Sequence, residues 1–146
     1  MILYHYTCSH SAAKIDKTWT LLAHPHSMLP QAPPFVWLTD LLIEGEPAEV
    51  ERRALGMPLD PNAIGQGCDR FGWRAAVFAP DPLGRRWAKW ARRNLPAAQV
   101  TAVESNVPGT LPAHWWFSFQ TPLPVFALGP TSVLLAHTPK VEKERG

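Results

Sequence analysis

His5 and Thr7 are the first residues of this chain whose side chains suit chemistry, and they stand in the opening stretch ILYHYT. Two positions apart on an extended segment, they point to one face. A neutral imidazole donates from one ring nitrogen and accepts on the other, and a threonine hydroxyl does both. Such a pair suits a ribose diol or an amide. It equally suits a buried histidine satisfied by a backbone carbonyl, beside a threonine that favours a strand. FVWLTD repeats the pattern. Phe35, Trp37 and Thr39 share one face, while Val36, Leu38 and Asp40 share the other. Trp37 and Thr39 offer a flat ring to stack on and a hydroxyl for its substituents, or else a core tryptophan and a strand-end threonine. In HWWFSFQ, His114, Trp116 and Ser118 alternate with Trp115, Phe117 and Phe119. That stretch could extend a site begun at His5 if the two strands are neighbours.

Two basic features add to these. CDRFGWR sets Arg70 and Arg74 close to Cys68 and Asp69. A guanidinium fits phosphate through its planar fork of donors, so Arg70 is a candidate phosphate ligand. Asp69 could pair with an arginine or cap a turn. Cys68 as a nucleophile needs a nearby base and a lowered pKa, and the sequence alone shows neither. Arg85, Arg86, Lys89, Arg92 and Arg93 crowd one short segment with no acid among them. They could contact nucleic acid or an acidic partner, or simply form a solvated face. Six histidines are present, but HPH at 24–26 sits beside a proline and no HExxH-type spacing occurs. No metal site is expected.

The elements that must hold these residues follow from pattern. ILYHYT is a strand, and SHSAAKIDKT a short helix with Ser9 or Ser11 as its cap. A proline-rich loop leads to the strand FVWLTD. EPAEVERRAL reads as a surface helix closed by Gly56, and GMPLDPNAIGQGCDRFG as a long loop. WRAAVFAP is a strand. PLGRRWAKWARRN is a helix with Leu83, Trp87, Trp90 and Asn94 on one face. AAQVTAVES is helix or strand. HWWFSFQ, PVFALG and TSVLLAH are strands. The expected class is α+β, a single domain over 1–137 with a frayed polar tail over 138–146.

Bulk numbers bound the rest. With 146 residues, 46% hydrophobic, the chain can bury a real core. Its 16 prolines imply stiff connections and few long helices. A net charge of +2 excludes an argument for nucleic acid or membrane from bulk charge alone. The start lacks a signal-peptide pattern, and no apolar run approaches the ~18 residues of a membrane span. The two cysteines form no CxxC pair. A cytoplasmic protein with free thiols is expected.

Taken in order, LYHYT, PPFVWLTD, CDRFGWR and HWWFS resemble a motif series of small bacterial and phage proteins. The first two also resemble the opening of the ADP-ribosyltransferase fold, in its diphtheria-toxin-like and PARP-like branch. The resemblance implies split antiparallel β-sheets with short flanking helices and NAD, the co-substrate, in the cleft between them. It implies that His5 binds the adenosine ribose, with Thr7 its neighbour, and that Trp37 stacks on nicotinamide. It implies transfer to a protein or nucleic acid, in phage–host or toxin-type conflict. The family's late-strand glutamate has no counterpart in HWWFSFQ. Glu104 is the one carboxylate between 82 and 141, and it or His114 would have to serve the oxocarbenium-like transition state. A non-catalytic nucleotide-binding or partner-blocking protein, using the basic helix over 84–94, is the alternative.

Overall fold

The structure is a computed structural model and describes residues 1–43, 72–78, 85–105 and 111–132. Its centre is a mixed arrangement of helices around an antiparallel sheet. Strands β1 (Ile2–Thr7), β3 (Val36–Thr39), β4 (Trp73–Phe78), β5 (Arg85–Arg86), β6 (Trp115–Ser118) and β8 (Ala127–Pro130) form it in the order β5-β6-β3-β1-β4-β8. β2 (Thr20–Leu21) and β7 (Leu123–Pro124) make a second, two-stranded sheet. The α+β class is as expected. The helix and loop expected over 44–71, Arg70 and Cys68 among them, and the strand expected at TSVLLAH lie outside the described residues, apart from Thr131 and Ser132.

Alternation along each strand divides the large sheet into two faces. Leu3, Val36, Leu38, Ala75 and Val77 form one core with Ile15, Leu21, Leu123 and Val125. Ile15 lies on α1 (Ser9–Thr18), whose buried residues are Ala12 and Ile15, three apart and so on one stripe. The N-cap is Cys8 rather than Ser9 or Ser11, and its carbonyl accepts the Ala12 N–H at 2.9 Å. It ends at Trp19, which takes a left-handed conformation (φ 54°) and returns its N–H to the Ile15 carbonyl. A bulky residue there is unusual. The turn is held because the Trp19 carbonyl also accepts the Val125 N–H at 2.9 Å, next to β7.

The opposite face carries an aromatic core: Phe35, Trp115, Phe117 and Trp87, with Trp37, Trp90 and Phe119 packed against them. Their rings meet edge-to-face, Phe35 on Trp37 at 5.0 Å and Trp37 on Trp87 at 5.2 Å. Trp87 and Ala91 are the buried residues of α2 (Trp87–Asn94). The buried stripe is thus Trp87–Ala91, and Asn94 is exposed. Arg85 and Arg86 belong to β5, not to the helix. α2 stops at Leu95 because the residue before Pro96 favours extended backbone. α3 (Ala97–Glu104) resolves the helix-or-strand ambiguity of AAQVTAVES in favour of helix.

Candidate functional site

Register places the sequence candidates. His5 stands opposite Ala75, and Ala75 opposite Leu128. On the other side Arg86 stands opposite Trp116, and Trp116 opposite Leu38. β1 meets β3 at Tyr4–Thr39, which sets Leu38 across from His5. Arg86, Trp116, Leu38, His5, Ala75 and Leu128 therefore form one transverse row on one face. Thr7 shares that face and is buried. Trp37 and Thr39 do not. They lie on the other face, Trp37 among the aromatic rings and Thr39 fully enclosed. The sheet does not bring His5 and the Trp37 ring to one cleft, because odd residues of β3 oppose even residues of β1.

His5 nevertheless depends on Trp37. β1 is paired with β4 along its whole length but with β3 at a single position. Where the two strands part, the backbone of His24 pairs instead with Phe35 through two bonds of 3.1 Å. The imidazole of His5 fills the gap: its Nδ1–H donates to the Trp37 carbonyl at 2.8 Å. The ring is partly buried. Burial holds its pKa below the ordinary histidine value, with nearby His24 acting in the same direction, against the upward pull of the Trp37 carbonyl. A neutral ring with Nδ1 committed as donor has Nε2 as a pure acceptor. The backbone-carbonyl reading of His5 is met, and Nε2 makes no hydrogen bond with a described residue.

The second centre was not paired in the sequence reading. β3 and β6 are antiparallel with Thr39 opposite Trp115, so the next pair outward is Asp40 and His114. His114 closes a 3-10 turn (Pro112–His114) rather than starting the strand. Its Nδ1–H donates to Asp40 Oδ1 at 2.7 Å, and Trp116 Nε1–H donates to Asp40 Oδ2 at 3.2 Å. Both carboxylate oxygens are thus engaged. The His114 carbonyl accepts from Thr39 Oγ1 at 3.1 Å and the Asp40 N–H at 3.3 Å. Thr39 Oγ1 in turn accepts the Leu41 N–H at 3.1 Å. Thr39 therefore acts as a buried clamp on the dyad's backbone. The side chains stay accessible, 43% for His114 and 28% for Asp40. A carboxylate that fixes one imidazole nitrogen leaves the other to take or give a proton. The signal was present in the sequence: an acid ending one apolar strand and a histidine preceding another. The register that unites them was not.

Glu104 lies apart from both centres. Its Oε2 accepts from Trp87 Nε1 at 2.7 Å, in the layer that covers the opposite face from His5. Arg86 completes the near side, its guanidinium 4.8 Å from the Trp116 ring centre. Among the described residues no cluster of His, Cys, Asp or Glu could hold a metal ion, and no helix is long and apolar enough to cross a membrane. The shallow cavity of about 260 Å³ bounded by Ser9, Ala12, Ala13, Asp16, Trp73 and Leu128 includes none of the candidate residues. No family model, curated protein or solved structure matches the chain.

Proposed function

We propose that this chain is an ADP-ribosyltransferase-like protein that takes NAD as co-substrate and modifies a macromolecular acceptor. The observation that carries the reading is His5 at the parting of β1 and β3, with Nδ1 bound to the Trp37 carbonyl at 2.8 Å and Nε2 left as an acceptor. An acceptor nitrogen at that point suits a ribose hydroxyl. Trp37 does not serve as the stacking ring, since its side chain is part of the aromatic core. Trp116, partly exposed on the His5 face, carries the Arg86 guanidinium over its ring at 4.8 Å, and that guanidinium would have to move aside for the indole to stack in place of Trp37. The Asp40–His114 pair supplies acid–base capacity where the resemblance leads one to look for a carboxylate. It would take a proton from an acceptor hydroxyl, and Asp40 would hold the resulting imidazolium. Glu104 is left with a bracing role under Trp87.

Incubation with NAD labelled on the adenine moiety, with a cell lysate as acceptor source, tests this directly. Label transfer and nicotinamide release are expected, both lost in His5→Ala. Absence of nicotinamide release together with absence of NAD binding by calorimetry rejects it. A second reading, a non-catalytic binder, is favoured by the exposed cations of β5 and α2, none of which forms an ion pair with a described residue. It expects cellular activity to survive His5→Ala and to vanish on charge reversal at Arg85, Arg86 and Lys89.

A further inference from the structure

The exposed cations also bear on the chemistry of the acceptor. Arg85, Arg86, Lys89, Arg92 and Arg93 are all exposed, on adjoining β5 and α2. Trp87 and Ala91 turn inward and anchor the pair of elements, so these side chains are displayed on a fixed support. α2 carries no acid; Asp81, four residues before Arg85, lies outside the described residues, and Glu104 is bonded to the Trp87 indole. Four of the five cations are arginines, whose fork of donors matches phosphate oxygens. Two of them lie over aromatic rings, Arg86 over Trp116 at 4.8 Å and Arg85 over Phe119 at 5.4 Å. A guanidinium laid on a ring has its plane held, and its outer face can stack under an unpaired base. The same Trp116 donates to Asp40, the partner of His114. Arg85 and Arg86 lie on opposite faces of the edge strand β5, so the basic strip wraps that edge, and Arg86 carries it up to the acid–base pair.

We propose that β5 and α2 form a docking surface for single-stranded nucleic acid, with phosphates on Lys89, Arg92 and Arg93 and bases over Arg85 and Arg86. As an acceptor site this rests on the transferase reading. As a binding surface it does not. An acidic protein would be served by the charge alone, whereas guanidinium groups held over rings add a stacking preference that unpaired bases satisfy and carboxylates do not.

Fluorescence anisotropy with a labelled 12-mer RNA, without NAD, tests the proposal. Three phosphate contacts imply a slope of log K against log salt of about −2, or about 16-fold weaker binding between 50 and 200 mM. Lys89→Gln, Arg92→Gln and Arg93→Gln combined should reduce affinity at 50 mM salt by about tenfold or more and flatten that slope. These side chains are exposed, and circular dichroism checks that the variant folds. Arg85→Gln with Arg86→Gln should weaken the intact 12-mer more than an abasic strand of equal charge. No binding of the 12-mer at 50 mM salt, unchanged affinity in both variants, or an equal effect on the abasic strand overturns the proposal. So does equal or tighter binding of a poly-glutamate peptide of the same charge, which assigns the surface to acidic protein. NAD calorimetry run in parallel separates the two failures. RNA binding without NAD binding sinks the transferase reading alone, and NAD binding without RNA binding sinks this one alone.

Discussion

A histidine whose Nδ1 is fixed by a backbone carbonyl and whose ring is desolvated resists protonation, and this has a consequence for stability. The unfolded chain takes up a proton at His5 near pH 6.5, the ordinary histidine value. The folded chain does so only at lower pH. Between those values the unfolded state binds more protons, so stability falls as pH drops below about 6.5 and levels off beneath the folded value. His5→Asn keeps a donor near the Trp37 carbonyl but cannot titrate. Urea midpoints from pH 7.5 to 5 should therefore decline less steeply in His5→Asn than in the parent, and equal declines would show that burial of His5 is not linked to protonation. Asp40 and His114 make a separate prediction. If His114 works as acid–base group, His114→Ala should lower transfer by about 10²- to 10⁴-fold while NAD affinity holds. Asp40→Asn should lower the rate of transfer as well, since Asp40 Oδ1 fixes the imidazole of His114 at 2.7 Å. His5 and His114 could be picked from sequence because polar residues interrupted apolar strands. Asp40 could not be assigned to His114, because pairing between residues 74 apart is set by register.

Among the elements, β3 carries most of the consequence. Its alternation sends Val36 and Leu38 to one core and Trp37 to the other. A tryptophan removed from among so many rings leaves a void, so Trp37→Ala should cost about 3 kcal/mol in chemical denaturation. A loss near zero would mean an accessible stacking ring instead. The segment after β3 is held by Tyr6, whose hydroxyl donates to the Leu41 carbonyl at 2.9 Å and accepts the Ile43 N–H at 2.8 Å. Arg74, fully buried on β4, donates to the Ile43 carbonyl at 2.6 Å. Burial raises the Tyr6 pKa, so the phenol stays protonated and can donate. Tyr6→Phe strands a buried donor and an acceptor and should cost about 1–3 kcal/mol, read from the urea midpoint. The strands β1, β3 and β4 and the helix over 9–18 were legible because period and length agree there. The short β2, β5 and β7 were not. Two residues carry no period, and Arg85–Arg86 follows helix-favouring composition until the edge of β6 recruits its backbone.

The described residues build a six-stranded antiparallel sheet with a core on each face and an interruption beside its first strand. The resemblance leads to an expectation of split sheets; β1 and β3 instead belong to one sheet and pair only at Tyr4–Thr39. His5 and Asp40–His114 share one face across β3, with Trp116 and Arg86 alongside. The transferase reading rests on that face, and the proposed nucleic-acid surface on β5 and α2 borders the aromatic face. The most direct test is NMR of the protein labelled with ¹⁵N in its histidine rings, titrated with NAD. The account predicts a saturable shift at His5 Nε2, with His5 Nδ1 nearly unmoved on its carbonyl and a smaller response at His114. Histidine resonances unchanged through millimolar NAD would contradict it.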